Sequence, residues 1–118
     1  MQIGQISMNA HDVDRATTFY RDALGLTPLF RFGDLSFFDC NGVRLMLSKP
    51  EKPEFDHPGS VLYFKVADID SKATELAGRG VTFRDKPHLI ARMPDHELWM
   101  AFFDDSEGNT LAIMCEKR

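Results

Sequence analysis

The chain reads twice over. Asp12-Val13-Asp14 is answered by Asp68-Ile69-Asp70, Leu24-Gly25-Leu26 by Arg79-Gly80-Val81, and Asn41-Gly42, ahead of a final apolar strand, by Gly108-Asn109. A duplication of this size constrains the fold more than any single segment does. One copy is too small to bury both faces of a sheet, whereas two copies can share a core. With 118 residues, the chain is one domain, built as unit 1 at about 3–48, a linker at 49–58 and unit 2 at about 60–116.

Local patterning gives each copy its elements. Ile6, Met8 and Ala10 alternate with Gln5, Ser7 and Asn9, as in a strand with one buried face. Asp12 is placed to cap a helix whose stripe is Val13, Ala16, Tyr20 and Leu24, and Gly25 ends it. Runs at 27–32, 35–40 and 43–47 follow as strands, divided by Gly33-Asp34 and Asn41-Gly42, and Asn-Gly is the stronger hairpin signal. The segment Lys49–Pro58 is polar, holds three prolines and reads as a crossover.

The second copy opens with a strand at 60–66, with Leu62, Phe64 and Val66 opposite Val61, Tyr63 and Lys65. Asp68 caps a helix with Ile69, Ala73, Leu76 and Ala77 on its stripe. Strands are expected at 81–84, near 88–92, at 98–103 and at 110–115. The fold class is therefore α+β: two βαβββ units paired around a cleft, with helices covering the outer faces.

Composition excludes several kinds of function. Fourteen basic and 18 acidic residues give a net charge of −4, which is a poor electrostatic match for nucleic acid or an anionic membrane. A hydrophobic share of 43% fits a folded globular chain and not a disordered one. No apolar run approaches the roughly 18 residues of a membrane helix. Cys40 and Cys115 make no CxxC pair, and the first residues show no export signal, so a cytoplasmic protein is expected.

With these motifs in view, the chain resembles the vicinal oxygen chelate superfamily, which includes glyoxalase I, extradiol dioxygenases, methylmalonyl-CoA epimerase and the bleomycin- and fosfomycin-resistance proteins. The resemblance is carried by the run Asp12–Tyr20 with Leu24-Gly25-Leu26, by Val66-Ala67-Asp68-Ile69-Asp70, and by the closing run Phe102–Asn109. It implies the glyoxalase/bleomycin-resistance-like fold and a homodimer. It also implies a divalent metal held by His or Gln and Glu from one unit and by His and Glu from the other. Transferred one by one, these ligand positions fall on Gln5, Met46, Val61 and Ala112. Gln5 is an acceptable ligand. Met46 is soft, and Val61 and Ala112 offer no donor, so no metal cofactor is expected.

Other chemistry is sparse. His96-Glu97-Leu98-Trp99-Met100 opens like a zinc-protease helix and then has Met where the second His belongs. There is no GxSxG, no P-loop and no dinucleotide loop, since Gly78-Arg79-Gly80 closes a helix. The segment Pro87–Trp99 brings His88, Arg92, His96 and Trp99 close in sequence: an anion fork, a proton shuttle and a stacking wall. The alternative is a solvated hairpin whose Trp caps a core. On the inner sheet faces, Gln5, Ser7, Arg44, Met46 and Tyr63 mix apolar surface with a few polar anchors, as small-molecule pockets do.

Three functions follow from this reading. The first is a protein that binds a small organic molecule without the usual metal, through Gln5, Ser7, Arg44, Met46, Tyr63, Arg92, His96 and Trp99. The second is a divalent-metal-dependent lyase, isomerase or dioxygenase, opposed by Met46, Val61 and Ala112. The third is a metal-free enzyme with His96 as general acid or base and Arg92 as anion anchor.

Overall fold

The computed structural model describes all 118 residues. They fall into two compact units. One is Met1–Ser60 together with Asp105–Asn109, and the other is Val61–Asp104 together with Thr110–Arg118.

In the first unit, β1 (Gln5–Asn9) leads to α1 (Val13–Thr18), a single wide π-turn (Phe19–Ala23), and then β2 (Thr27–Phe32), β3 (Leu35–Cys40) and β4 (Val43–Ser48). The sheet order is β1-β4-β3-β2, with β1 parallel to β4 and the other pairs antiparallel. The Asp12 carboxylate accepts from the Arg15 N–H at 3.0 Å and caps α1 as the sequence predicts. After Thr18 the helix widens, and Leu24 N–H reaches back to the Phe19 carbonyl. The extra residue in that turn moves the buried stripe from the expected Leu24 to Ala23. Asn41 and Gly42, at φ 52° and 94°, close the β3–β4 hairpin in the left-handed region that only such residues enter cheaply.

Strand alternation sorts the sheet into two faces. Met8, Phe38, Leu45 and Leu47 are buried on the helix side with Val13, Ala16 and Tyr20. The opposite face carries Gln5, Ser7, Arg44, Met46, Ser48 and Phe37, as the register Gln5↔Arg44, Ser7↔Met46 and Phe37↔Met46 requires. The crossover holds a short 3-10 turn at Pro53–Phe55, tied to β1 where the Asn9 amide donates to the Phe55 carbonyl at 2.7 Å.

The second unit repeats the order as β5-β8-β7-β6, from β5 (Leu62–Lys65), α2 (Ile69–Gly78), β6 (His88–Arg92), β7 (Glu97–Asp104) and β8 (Thr110–Lys117). Asp68 caps α2 by accepting from the Ser71 N–H at 3.1 Å. Two expectations are corrected here. The run at 81–84 is not a strand: Phe83 makes only one isolated bridge, to Phe103, so no ladder forms. The strand at 60–66 shrinks to four residues, the length that pairs with β8 through Leu62↔Leu111 to Lys65↔Met114. Ile69, Leu76, Ala101, Phe103, Leu111, Ile113 and Cys115 form this unit's core. No helix is long and apolar enough to cross a membrane.

Candidate functional site

The open face of the first sheet gathers four of the sequence-expected binding residues. Gln5 and Ser7 come from β1, Arg44 and Met46 from β4. The Arg44 Nε donates to Gln5 Oε1 at 2.7 Å, and the Gln5 amide nitrogen points at the Met46 sulfur at 3.8 Å. The Ser7 and Ser48 hydroxyls lie 3.3 Å apart on the same face. The Arg44 guanidinium sits 5.5 Å from the Phe37 ring centre, and Phe37 in turn stacks on Phe30 at 4.4 Å with 25° between the planes. Such a cation over an aromatic face is favourable and fixes the side chain's direction.

Seven of the eight arginines in the sequence have a carboxylate within 4.0 Å: Arg15, Arg21, Arg31, Arg79, Arg84, Arg92 and Arg118. Arg44 has none. Its cross-strand neighbour Asp39 turns away and accepts from the Gly42 N–H at 3.1 Å. With Nε held by Gln5, the Nη1 and Nη2 nitrogens of Arg44 make no hydrogen bond within the chain.

The four positions at which the family resemblance places metal ligands do not fit a hard divalent cation. The Gln5 oxygen already accepts from Arg44, which as a cation beside the donor opposes a second positive charge. Met46 offers a thioether, Val61 lies just ahead of β5 with no donor, and Ala112 is buried on β8 with no donor. No group of three or more His, Cys, Asp or Glu side chains is placed to hold a metal ion.

In the second unit the register separates residues that lie together in sequence. Arg92, Glu97 and Trp99 share one face: Arg92 Nε donates to Glu97 at 3.3 Å, and Trp99 Nε1 donates to the other Glu97 oxygen at 3.1 Å. Trp99 pairs with the buried Cys115, and the Lys117 ammonium lies 4.0 Å from its ring centre while also bonding Asp70 at the start of α2. This is the helix side of the sheet. The opposite face carries Tyr63, Ala112, Met114, Met100 and Phe102, with Tyr63 edge-on to Phe102. His96 goes with that opposite face. Its Nε2 is 4.0 Å from Glu116, which stands across from Leu98, and its Nδ1 bonds Asp95 at 2.7 Å.

The pocket expected from Arg92, His96 and Trp99 acting together is therefore corrected: the pairing of Arg92 with Glu97 and the alternation along β7 put Arg92 and Trp99 on the side away from His96. The Trp99 and Arg118 contacts, with Arg92, hold the Glu97 and Asp95 carboxyls below the usual carboxylate range. For Asp95 the causes are the His96 hydrogen bond and then Arg118, and for Glu97 they are Trp99 and then Arg92.

One constellation was missed by the sequence reading. The turn at Asp105–Asn109 belongs to the first unit. There the Tyr20 hydroxyl donates to Asp105 Oδ2 at 2.7 Å, and Asp105 Oδ1 accepts from the Glu107 and Asn109 N–H groups, each at 2.8 Å. Glu107, with a side chain only 1% exposed, takes Arg15 Nε at 2.8 Å and the Asp12 N–H at 2.9 Å. Burial pushes the Glu107 carboxyl up, but Arg15, the Asp12 N–H and the Ser106 hydroxyl outweigh it and bring it down to about 2. This is a structural latch, with every group spent on the fold. A hollow of about 360 Å³ lies over the crossover, lined by His11, Lys49, Lys52 and Asp56 among others, and its His11 is paired to Asp56 at 2.8 Å.

Comparison with known proteins sets this fold in a class. Residues 2–113 match the family model of the Glyoxalase/Bleomycin resistance protein/Dioxygenase superfamily. A solved member of that superfamily from Sphaerobacter thermophilus superposes with a TM-score of 0.80 at 23% identity, covering 98% of each chain. Lactoylglutathione lyase from Agrobacterium tumefaciens superposes with a TM-score of 0.77 at 25% identity, covering 97% of this chain and 92% of that one. Among curated sequences, the uncharacterized protein YurT of Bacillus subtilis (strain 168) is 29% identical over 130 aligned residues, covering 97% of this chain and 98% of that protein. The chain belongs to the Glyoxalase/Bleomycin resistance protein/Dioxygenase superfamily.

Proposed function

We propose that the protein binds a small organic molecule on its open sheet faces without the divalent metal that the superfamily resemblance implies. One observation carries the reading: at the four ligand positions stand an amide already bonded to a guanidinium, a thioether and two side chains with no donor atom. A cation has no hard, anionic donor set to replace its water. The faces themselves retain the make-up of a small-molecule site, with Gln5, Ser7, Arg44 and Met46 in one unit and Tyr63 beside Phe102 in the other. The homodimer expected from the resemblance is part of the same reading. So is a cytoplasmic setting, which two free cysteines favour.

A screen of chelator-stripped protein against small organic acids, amines and aromatics, read as thermal stabilisation, tests the reading. It expects concentration-dependent stabilisation by at least one class, unchanged when Ni²⁺, Mn²⁺, Fe²⁺ or Zn²⁺ is added. Stabilisation that appears only with an added metal overturns it.

A second reading is a metal-free enzyme with His96 as general acid or base. It is favoured by the 2.7 Å bond between His96 Nδ1 and Asp95, which orients the imidazole and leaves Nε2 4.0 Å from Glu116. Arg92, on the other side of the sheet, is not its anion anchor.

A further inference from the structure

We propose that the open face of the first sheet recognises a planar aromatic anion, its ring laid against Phe30 and its carboxylate taken by the Nη1–Nη2 edge of Arg44. The inference rests on the metal-free binding reading and names the ligand class for it.

Three observations on one sheet point the same way. The first is the unspent guanidinium. Every other arginine in the chain is neutralised by a carboxylate within 4.0 Å, and Arg44 is the exception. A carboxylate matches the two parallel N–H bonds that the Nη edge offers. The second is orientation. Gln5 holds Nε at 2.7 Å and Phe37 lies beneath the guanidinium plane at 5.5 Å, so the free edge is fixed before a ligand arrives. Fixing it beforehand lowers the ordering cost of binding.

The third observation is the aromatic surface next to it. Phe30 stacks on Phe37 and is still 52% exposed. Phe30 pairs with Phe37, so its ring projects from the face that carries Arg44. Phe30, stacked on the ring beneath the guanidinium and still half in water, makes with that fixed cation a surface complementary to a molecule that is flat and apolar at one end and anionic at the other. Charge selects the head of that molecule and the exposed Phe30 ring selects its body. An aliphatic acid would satisfy only the first and a neutral arene only the second.

The test titrates chelator-stripped protein with 2-naphthoate, and separately with 2-naphthamide and cyclohexanecarboxylate, following the backbone and side-chain NH signals by NMR. Saturable shifts of the Gln5 amide and the Arg44 Nε signal are expected with 2-naphthoate. Binding by the neutral amide and by the non-aromatic acid is expected to be about tenfold weaker or more. Arg44→Gln should lower naphthoate affinity by a similar factor, while Arg31→Gln, on the other face of β2 and paired to Asp14, should leave it unchanged. Arg44 is exposed, so its replacement is not expected to unfold the chain, and the unmodified protein with the neutral amide gives the same discrimination without a variant. Equal affinity for the acid and its amide, or no shift at Gln5 with 2-naphthoate, overturns the proposal. If the stripped protein still binds other organic molecules, only the ligand class has failed. If it instead takes up a divalent ion one per chain, the metal-free reading beneath it has failed.

Discussion

The Tyr20 hydroxyl donates to the Asp105 carboxylate at 2.7 Å, and both residues are buried although they lie 85 positions apart in the chain. Burial, and then the neighbouring Asp105 charge, push the Tyr20 hydroxyl far above its ordinary range. The folded protein therefore keeps this proton when the unfolded chain gives it up above pH about 10. The contribution of this group to stability is expected to be full and independent of pH below that value and to fall as pH rises beyond it, by about 1.4 kcal/mol per pH unit. Urea unfolding from pH 9 to 11 checks this. Tyr20→Phe should remove that part of the slope and lower stability at neutral pH by about 1.5–3 kcal/mol, as for a buried hydrogen bond to a charged group.

Glu107 gives the acid counterpart. Its carboxyl titrates at about 2 in the folded chain against 4.5 as the ordinary value. A lowered folded value contributes stability above the ordinary value and loses it as pH falls toward about 2. Glu107→Gln is expected to flatten the acid limb of the stability curve in that window and to lower the urea midpoint at neutral pH. An acid limb as steep in the variant as in the parent would show that Glu107 is not its source.

Trp99 is expected to act through the fold. It lies between Glu97 and Lys117 on the helix side of its sheet. Trp99→Ala should cost about 3–5 kcal/mol if the ring behaves as a core aromatic, and somewhat less for its partial exposure. Trp99→Phe should leave affinity for a ligand on the Arg44 face within about twofold, because distant sites act nearly independently. A large loss of that affinity in Trp99→Phe, with stability preserved, would place the indole in the binding site after all.

Half-exposed Phe30 offers a test of the homodimer. Sedimentation velocity is expected to give a mass near twice the 13.4 kDa of the chain. Phe30→Ser should leave that mass unchanged, since that ring is assigned to ligand and not to a partner subunit. Conversion to monomer would assign the face to the dimer instead.

The strand faces were legible because the period of two is written in the residues themselves. Gln5, Ser7, Arg44 and Met46 fell together on one face as expected. The caps Asp12 and Asp68 were legible for the same local reason. What local pattern could not show was the pairing of β6 with β7. Met93 N–H bonds the His96 carbonyl at 2.8 Å and the register slips between Leu89 and Ala91, which sets Arg92 opposite Glu97; Arg92 and Trp99 then meet on that one carboxylate while His96 stands on the other face. Nor did sequence show that Asp105 and Glu107 would meet Tyr20 and Arg15, contacts that span 85 and 92 positions. The isolation of Arg44 was equally hidden, because a charge count cannot say which cation is left without a carboxylate.

The central claim is that the metal site implied by the superfamily is absent here. Calorimetric titration of chelator-stripped protein with Ni²⁺, Mn²⁺, Fe²⁺ and Zn²⁺ tests it most directly. No saturable binding tighter than about micromolar, roughly 8 kcal/mol, is expected from any of them. One ion bound per chain at that affinity or tighter would contradict the account and return Gln5 to the role of a metal ligand.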